Sequence, residues 1–192
     1  MKHASSLQLF EYWNAQRGSR VAPERGDIDP GPIRGVLSDT FILGRDGQGY
    51  RFRLAGTRAC ALFCRELKAA DFLSLWPSTE QVQMQELLAA AADQATGFVA
   101  GLTARIASGA SAELELLVLP LRNRDRTQTR LIGVLAPLVS PYWLGTKPVE
   151  TMALGTIRHL GPGFRHVGAP RLVPGAEAHA RNGFLVYDGG RS

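Results

Sequence analysis

The sequence predicts an α+β domain, and three observations carry that prediction. Tyr50-Arg51-Phe52-Arg53-Leu54 alternates apolar with basic residues just after an Asp46-Gly47 turn, helical spacing governs the chain from Arg58 to Ala95, and alternation returns at Phe98. A period of two sends successive side chains to opposite faces of a strand, and a period near 3.6 gathers them on one stripe of a helix. Strands grouped before and after one block of helices fit α+β architecture, whereas interleaved elements would argue for a parallel sheet.

Each element follows from its residues. Ser5 to Arg17 is an amphipathic helix with Leu9, Phe10, Trp13 and Ala4 or Leu7 at helical spacing, Gln8, Glu11 and Gln16 on the remaining arc, and Gly18 as its stop. Arg20 to Asp29 is a loop, after which Asp29 as N-cap and Pro30 at the first helical position open a short turn running to Leu37. Thr40 to Arg45 is the first strand, and Asp46-Gly47 turns it into a second, on which Tyr50, Phe52 and Leu54 share the core face. That strand ends at Gly56. Thr57 caps a helix from Arg58 to Leu67 with Cys60, Phe63, Cys64 and Leu67 as its apolar stripe. Ala69 to Trp76 is a short helical turn, and Ser78 with Gln81 forms a capping box that opens a helix packing Met84, Leu87, Leu88, Ala91, Ala92 and Ala95 and ending at Gly97.

Three more strands follow. Phe98 to Ile106 and Glu113 to Leu119 flank a Ser108-Gly109 turn, and Leu131 to Val139, with Gly133 and Pro137 as irregularities, follows a polar loop, Asn123 to Gln128. Thr151 to Leu160 is a further strand candidate with Met152 and Leu154 on one side. From Gly161 to Ser192 Gly and Pro are frequent and Phe184-Leu185-Val186-Tyr187 is the one compact apolar cluster, so this stretch packs locally or stays loose. The organisation expected is an N-terminal helical extension over residues 1–35, a core domain over 36–140 and a C-terminal extension over 141–192.

At 192 residues, 45% hydrophobic and 20% charged, the chain suits one globular domain with extensions. Glu11 comes too early for a secretory leader. The longest nearly apolar run, Leu131 to Leu144, falls short of the ~20 residues of a membrane helix and is interrupted by Gly133, Pro137 and Pro141. A soluble, cytoplasmic protein with no membrane span is expected. Cys60 and Cys64 lie at i,i+4 on a helix, where a disulfide is geometrically disfavoured, so two small buried apolar side chains in a reducing compartment are expected. The net charge of +5 comes mostly from scattered arginines and gives a weak general attraction to anionic partners. With no basic helix or ribbon carrying base-reading groups, no specific nucleic-acid partner is expected.

Trp13, Asp27-Ile28-Asp29-Pro30, Tyr50-Arg51-Phe52-Arg53-Leu54-Ala55-Gly56-Thr57, Arg65-Glu66-Leu67, Leu75-Trp76 and Ile132-Gly133-Val134-Leu135-Ala136-Pro137 together resemble a family of small, stand-alone bacterial PAS-domain proteins. The order of two strands, a helical block and three strands is also that of a PAS domain. The resemblance covers about residues 7 to 140. It implies a PAS-like five-stranded antiparallel sheet with helices packed on one face, a face that in PAS domains can enclose a small-molecule cavity. It also implies dimerisation through a helix preceding the first strand.

Candidate chemistry is sparse. A haem-binding PAS domain would present its iron ligand from a helix on the sheet, whereas His3, His159, His166 and His179 all fall outside the helical region. A flavin photosensor would carry its reactive cysteine in an Asn-Cys-Arg-Phe-type helix, which Ala59-Cys60-Ala61-Leu62-Phe63-Cys64-Arg65 does not match. No cofactor is expected, and no metal site, because the cysteines lack further ligands nearby. Nucleophile-elbow, His-Glu-x-x-His and phosphate-loop motifs are lacking, and Glu113 and Glu115, on one strand face, read as a solvated sheet edge rather than an acid–base pair. No catalytic residue and no enzyme activity are expected. Arg122-Asn123-Arg124-Asp125-Arg126 resembles the arginine pair of a cyclic-dinucleotide motif, but Leu138-Val139-Ser140-Pro141-Tyr142-Trp143 lacks the downstream residues that motif requires, so the arginines read as a solvated loop.

Two residue sets remain. Phe52, Phe63 and Trp76 either line a cavity or fill the core. Leu9, Phe10 and Trp13 either dock their helix on its own sheet or pair it with its copy in a second chain, and the PAS resemblance favours the symmetric homodimer. The function expected is a non-catalytic sensory or adaptor module working through protein contacts with a separate signalling partner. The alternative is a sensor holding a small apolar ligand in its cavity. A third reading, motivated by charge alone, is an electrostatic binder of nucleic acid or anionic membrane.

Overall fold

The computed structural model describes residues 1–47, 49–122 and 130–161, and the backbone of Ala178–Arg181 and Phe184–Tyr187. Six strands, β1 (Thr40–Asp46), β2 (Gly49–Ala55), β3 (Gly97–Arg105), β4 (Ser111–Leu121), β5 (Arg130–Pro137) and β6 (Thr151–Leu160), form one antiparallel sheet in the order β2-β1-β5-β4-β3-β6. The five expected strands are joined by β6, which pairs with the outer edge of β3 and buries Met152 as its side pattern predicts. All six belong to the compact unit Met1–Pro162. In the separate unit Gly163–Ser192, β7 (Ala178–Arg181) pairs antiparallel with β8 (Phe184–Tyr187). The loop Asn123 to Gln128 lies outside the described residues.

Both faces of the sheet are apolar. Leu114, Leu116 and Val118 of β4 and Leu131 and Leu135 of β5 join one core with α2 (Thr57–Leu62) and α3 (Ser78–Asp93). The intervening Leu117, Leu119, Ile132 and Val134 point the other way, where α1 (Ala4–Arg17) packs on β4 and β5. Strands covered on both sides read as continuous apolar runs, which is why alternation fades between Leu116 and Leu119. Gly133 is needed where the layers meet. A Cβ there would lie 2.2 Å from the Leu117 carbonyl oxygen and 2.4 Å from the Phe41 ring. It is a packing position, since both pairings of β5 pass through it without interruption.

Several local expectations are corrected. β2 carries a bulge, with Ile42 opposite Leu54 but Leu43 opposite Phe52. The extra residue, Arg53, reverses the alternation, so Tyr50 and Phe52 are buried while Leu54 is exposed. The helix expected to Leu67 stops at Leu62, because Phe63 leaves helical geometry and Cys64 adopts a left-handed φ of 49°. Cys60 is therefore half-buried and Cys64 exposed, rather than both buried on one stripe. Ser78 is the first residue of α3 rather than its cap. Pro77 holds the N-cap, and the Gln81 amide donates to the Trp76 carbonyl at 3.0 Å. α3 ends at Asp93, before Ala95 turns left-handed at φ 53°, and Gly97 opens β3. The turn expected from Asp29 begins later, as a 3-10 turn at Arg34–Val36, and the Asp29 carboxylate accepts from the Gly31 N–H at 2.9 Å.

The close approach at Gly133 sets a test. Gly133→Ala should cost about 3 kcal/mol by urea denaturation, the upper range for overpacking against a fixed neighbour. Gly101→Ala, with no heavy atom within 4 Å of its new Cβ, should cause no loss. Equal stabilities for the two variants would contradict the packing.

Candidate functional site

The helix α1 forms because Leu9, Phe10 and Trp13 recur on one stripe. That stripe continues back one turn through Ser5 and Ser6 rather than through the Ala4 or Leu7 that the periodicity predicts. The structure buries Leu9, Phe10 and Trp13 within their own chain, Phe10 and Trp13 stacked with ring centroids 6.2 Å apart. The Trp13 indole donates to the Pro120 carbonyl at 2.8 Å, and the Arg17 guanidinium lies 5.4 Å above its ring. Of the two arrangements open to this helix, docking on its own sheet is the one present. The Tyr12 hydroxyl ties the following loop, donating to the Asp27 carbonyl and accepting from the Asp29 N–H at 2.8 Å.

Two buried carboxylates hold the start of α1: Asp39, which the sequence does not single out, and Glu115, which it reads as solvated. Asp39, 1% exposed, accepts from the Ser5 hydroxyl at 2.6 Å and from Arg58 through both Nε and Nη2 at 2.8 and 2.6 Å. One anion therefore bonds α1 and α2, which cover opposite faces of the sheet. α2 itself is seated on the same stretch: the Ser38 carbonyl accepts from the Arg58 and Ala59 N–H groups, and the Thr40 carbonyl accepts from that of Gly56. A Cβ on Gly56 would lie 2.1 Å from the Leu37 carbonyl oxygen, so glycine alone fits. Glu115, expected on a solvated edge, is 5% exposed and accepts from the Lys2 and His3 N–H groups at 2.6 and 3.0 Å; Glu113 on the same face is exposed. Negative charge near the start of α1 complements the helix dipole. Burial, then the Arg158 charge, holds the Met1 amine below its ordinary pKa, while Glu115 opposes them.

On the other face, Phe52 and Trp76 are brought together through Phe72, with centroids 5.5 and 6.1 Å apart, and Phe41 completes the cluster. The Trp76 Nε1 and the Tyr50 hydroxyl are buried with no hydrogen-bond partner among the described residues, and burial pushes the Tyr50 phenol up. Phe63, buried in the same core, also lines an open cleft beside the end of α2. His3 is the N-cap of α1, accepting from the Ser5 N–H at 3.1 Å, and His159 is exposed on β6. The side chains of His166 and His179 lie outside the described residues.

The PAS domain family matches residues 1–136, most of the chain, and the chain belongs to that family. The match takes in α1, Asp39, Arg58 and the sheet through Ala136 of β5; the connection to β6, and β6 itself, lie beyond it. No curated protein matches the chain. PAS domains are generally non-catalytic sensory modules. Among the described residues no helix is long and apolar enough to cross a membrane.

The two thiols separate experimentally. Burial raises the pKa of Cys60, with the Glu66 carboxylate adding to it, whereas Cys64 is exposed. Since the thiolate is the reactive form, Cys64→Ser should remove the fast phase of disulfide-reagent labelling near neutral pH and Cys60→Ser should retain it. The opposite assignment would contradict this geometry at the end of α2.

Proposed function

We propose that this protein is a non-catalytic PAS signalling or adaptor module whose output element is α1. The observation that carries this reading is the Arg58–Asp39–Ser5 connection, which bonds the helix-covered face to the helix on the opposite face through one buried carboxylate. A change that displaces α2 pulls Arg58 from Asp39. It leaves a buried anion short of partners, which is costly, and loosens the first turn of α1. Release of α1 uncovers Leu9, Phe10 and Trp13 together with Leu117, Ile132 and Val134 beneath them, apolar surface that a partner protein can cover. The symmetric homodimer belongs to the same scheme. The docked chain buries the three side chains that would form it, so pairing through Leu9, Phe10 and Trp13 follows release. A second reading, a small apolar ligand among the core aromatics, is supported by the unpartnered Trp76 and Tyr50 polar atoms. Native mass spectrometry of the purified chain, with or without a stoichiometric guest, separates that reading from a packed core.

Arg58→Met tests the output. Hydrogen exchange should accelerate first at the α1 amides, ahead of those in β4, and sedimentation should shift toward dimer as protein concentration rises. Uniform acceleration across α1 and β4, or α1 protection equal to that of the unaltered chain, would refute the coupling.

A further inference from the structure

Beyond the end of the PAS family match, the chain crosses back over the end of α2 before entering β6, and this crossing builds a cleft. Trp143, 1% exposed, anchors it in the core. The Gly145 N–H donates to the Ala61 carbonyl at 3.1 Å, the Val149 N–H to the Leu62 carbonyl at 2.8 Å and the Glu150 N–H to the Arg105 carbonyl at 2.9 Å. Three segments remote in sequence, 63–65, 74–75 and 148–150, then face one another around a cleft of about 450 Å³. That volume lies within the roughly 300–1,000 Å³ of small-molecule sites, and its walls are fixed by backbone hydrogen bonds, which lowers the ordering cost of binding.

The lining is amphiphilic. Phe63, Leu75 and Val149 are buried and supply apolar wall, while Arg65 and Glu150 bring opposite charges. Neither charged side chain makes a hydrogen bond or ion pair among the described residues, with the other or with any third group. The left-handed backbone at Cys64 contributes to this shape, because it ends the helix where Arg65 joins the cleft.

We propose that this cleft binds a small zwitterion with an apolar body, an α-amino acid of the leucine or phenylalanine kind, with Arg65 taking the carboxylate and Glu150 the ammonium. A simple carboxylate would satisfy Arg65 but face the Glu150 anion, and a simple amine would meet the reverse conflict. The zwitterion alone pairs with both, so the two charges select by repulsion as well as attraction. The apolar walls take the side chain. This site is independent of the output role given to α1.

Titration calorimetry of the full chain with L-leucine, L-phenylalanine, N-acetyl-L-phenylalanine and L-phenylalaninamide tests it. Saturable binding of the free amino acids is expected at or below about 1 mM, with each blocked derivative weaker by about tenfold or more, the usual scale of a lost charged hydrogen bond. Arg65→Gln should abolish the preference over the amide, and Glu150→Gln the preference over the N-acetyl form. Both residues are exposed, so thermal unfolding without ligand should be unchanged and serves as the folding control. Lack of saturable binding of either amino acid at that concentration would overturn the proposal. So would N-acetyl-phenylalanine binding as tightly as phenylalanine, or both variants binding like the unaltered chain.

Discussion

A carboxylate in the interior must be hydrogen-bonded or become neutral, and Asp39 meets that requirement by drawing three segments to one point. Its partners come from the first turn of α1 and from α2, while its own carbonyl accepts from the Leu135 N–H of β5 at 3.0 Å. Losing either side-chain partner leaves charge poorly compensated, so the two helices are held as a pair. The neighbouring carbonyls of Leu37 and Ser38 are pressed against Gly56, which admits no side chain. Apolar burial supplies most of the stabilisation of the two layers. The Asp39 connection fixes which layer moves with which.

One edge of the sheet is closed off by its own chain. The outer edge of β2 is occupied by the segment after α2: the Ala69 N–H donates to the Phe52 carbonyl and the Phe52 N–H to that of Ala70. At the other end β6 is itself the edge strand, and there the Glu80 carboxylate accepts from the Leu154 N–H at 3.3 Å. Covered edges guard against strand pairing with other chains. Among the described residues, the surface that α1 covers is thus a more natural place for regulated contact than the β2 edge.

The strands and α1 were legible in the sequence because each depends on a repeating apolar pattern that local sequence carries. Ser5, Asp39, Arg58 and Glu115 were not. Serines at the head of an apolar stripe score as its polar end, and the burial of Ser5 has meaning only beside Asp39, 34 positions away in sequence. Glu115 alternates with Leu114 and Leu116 as a solvated strand residue would, and only the fold of the N-terminus over it distinguishes the two cases. Leu54 was misplaced by the bulge at Arg53, and Cys64 by a left-handed residue that periodicity does not register. The nearest available signal for the junction was the Gly56-Thr57-Arg58 run, where a glycine directly precedes a helix.

One carboxylate bonds α1 to α2. Ser5 and Arg58 bond the same Asp39 oxygen, Oδ2, each at 2.6 Å. A double-mutant cycle on unfolding free energy, with Ser5→Ala, Arg58→Met and the pair, measures that coupling directly. Residues sharing a buried partner should show an interaction energy of about 1 kcal/mol or more, whereas additivity within about 0.3 kcal/mol would contradict the account.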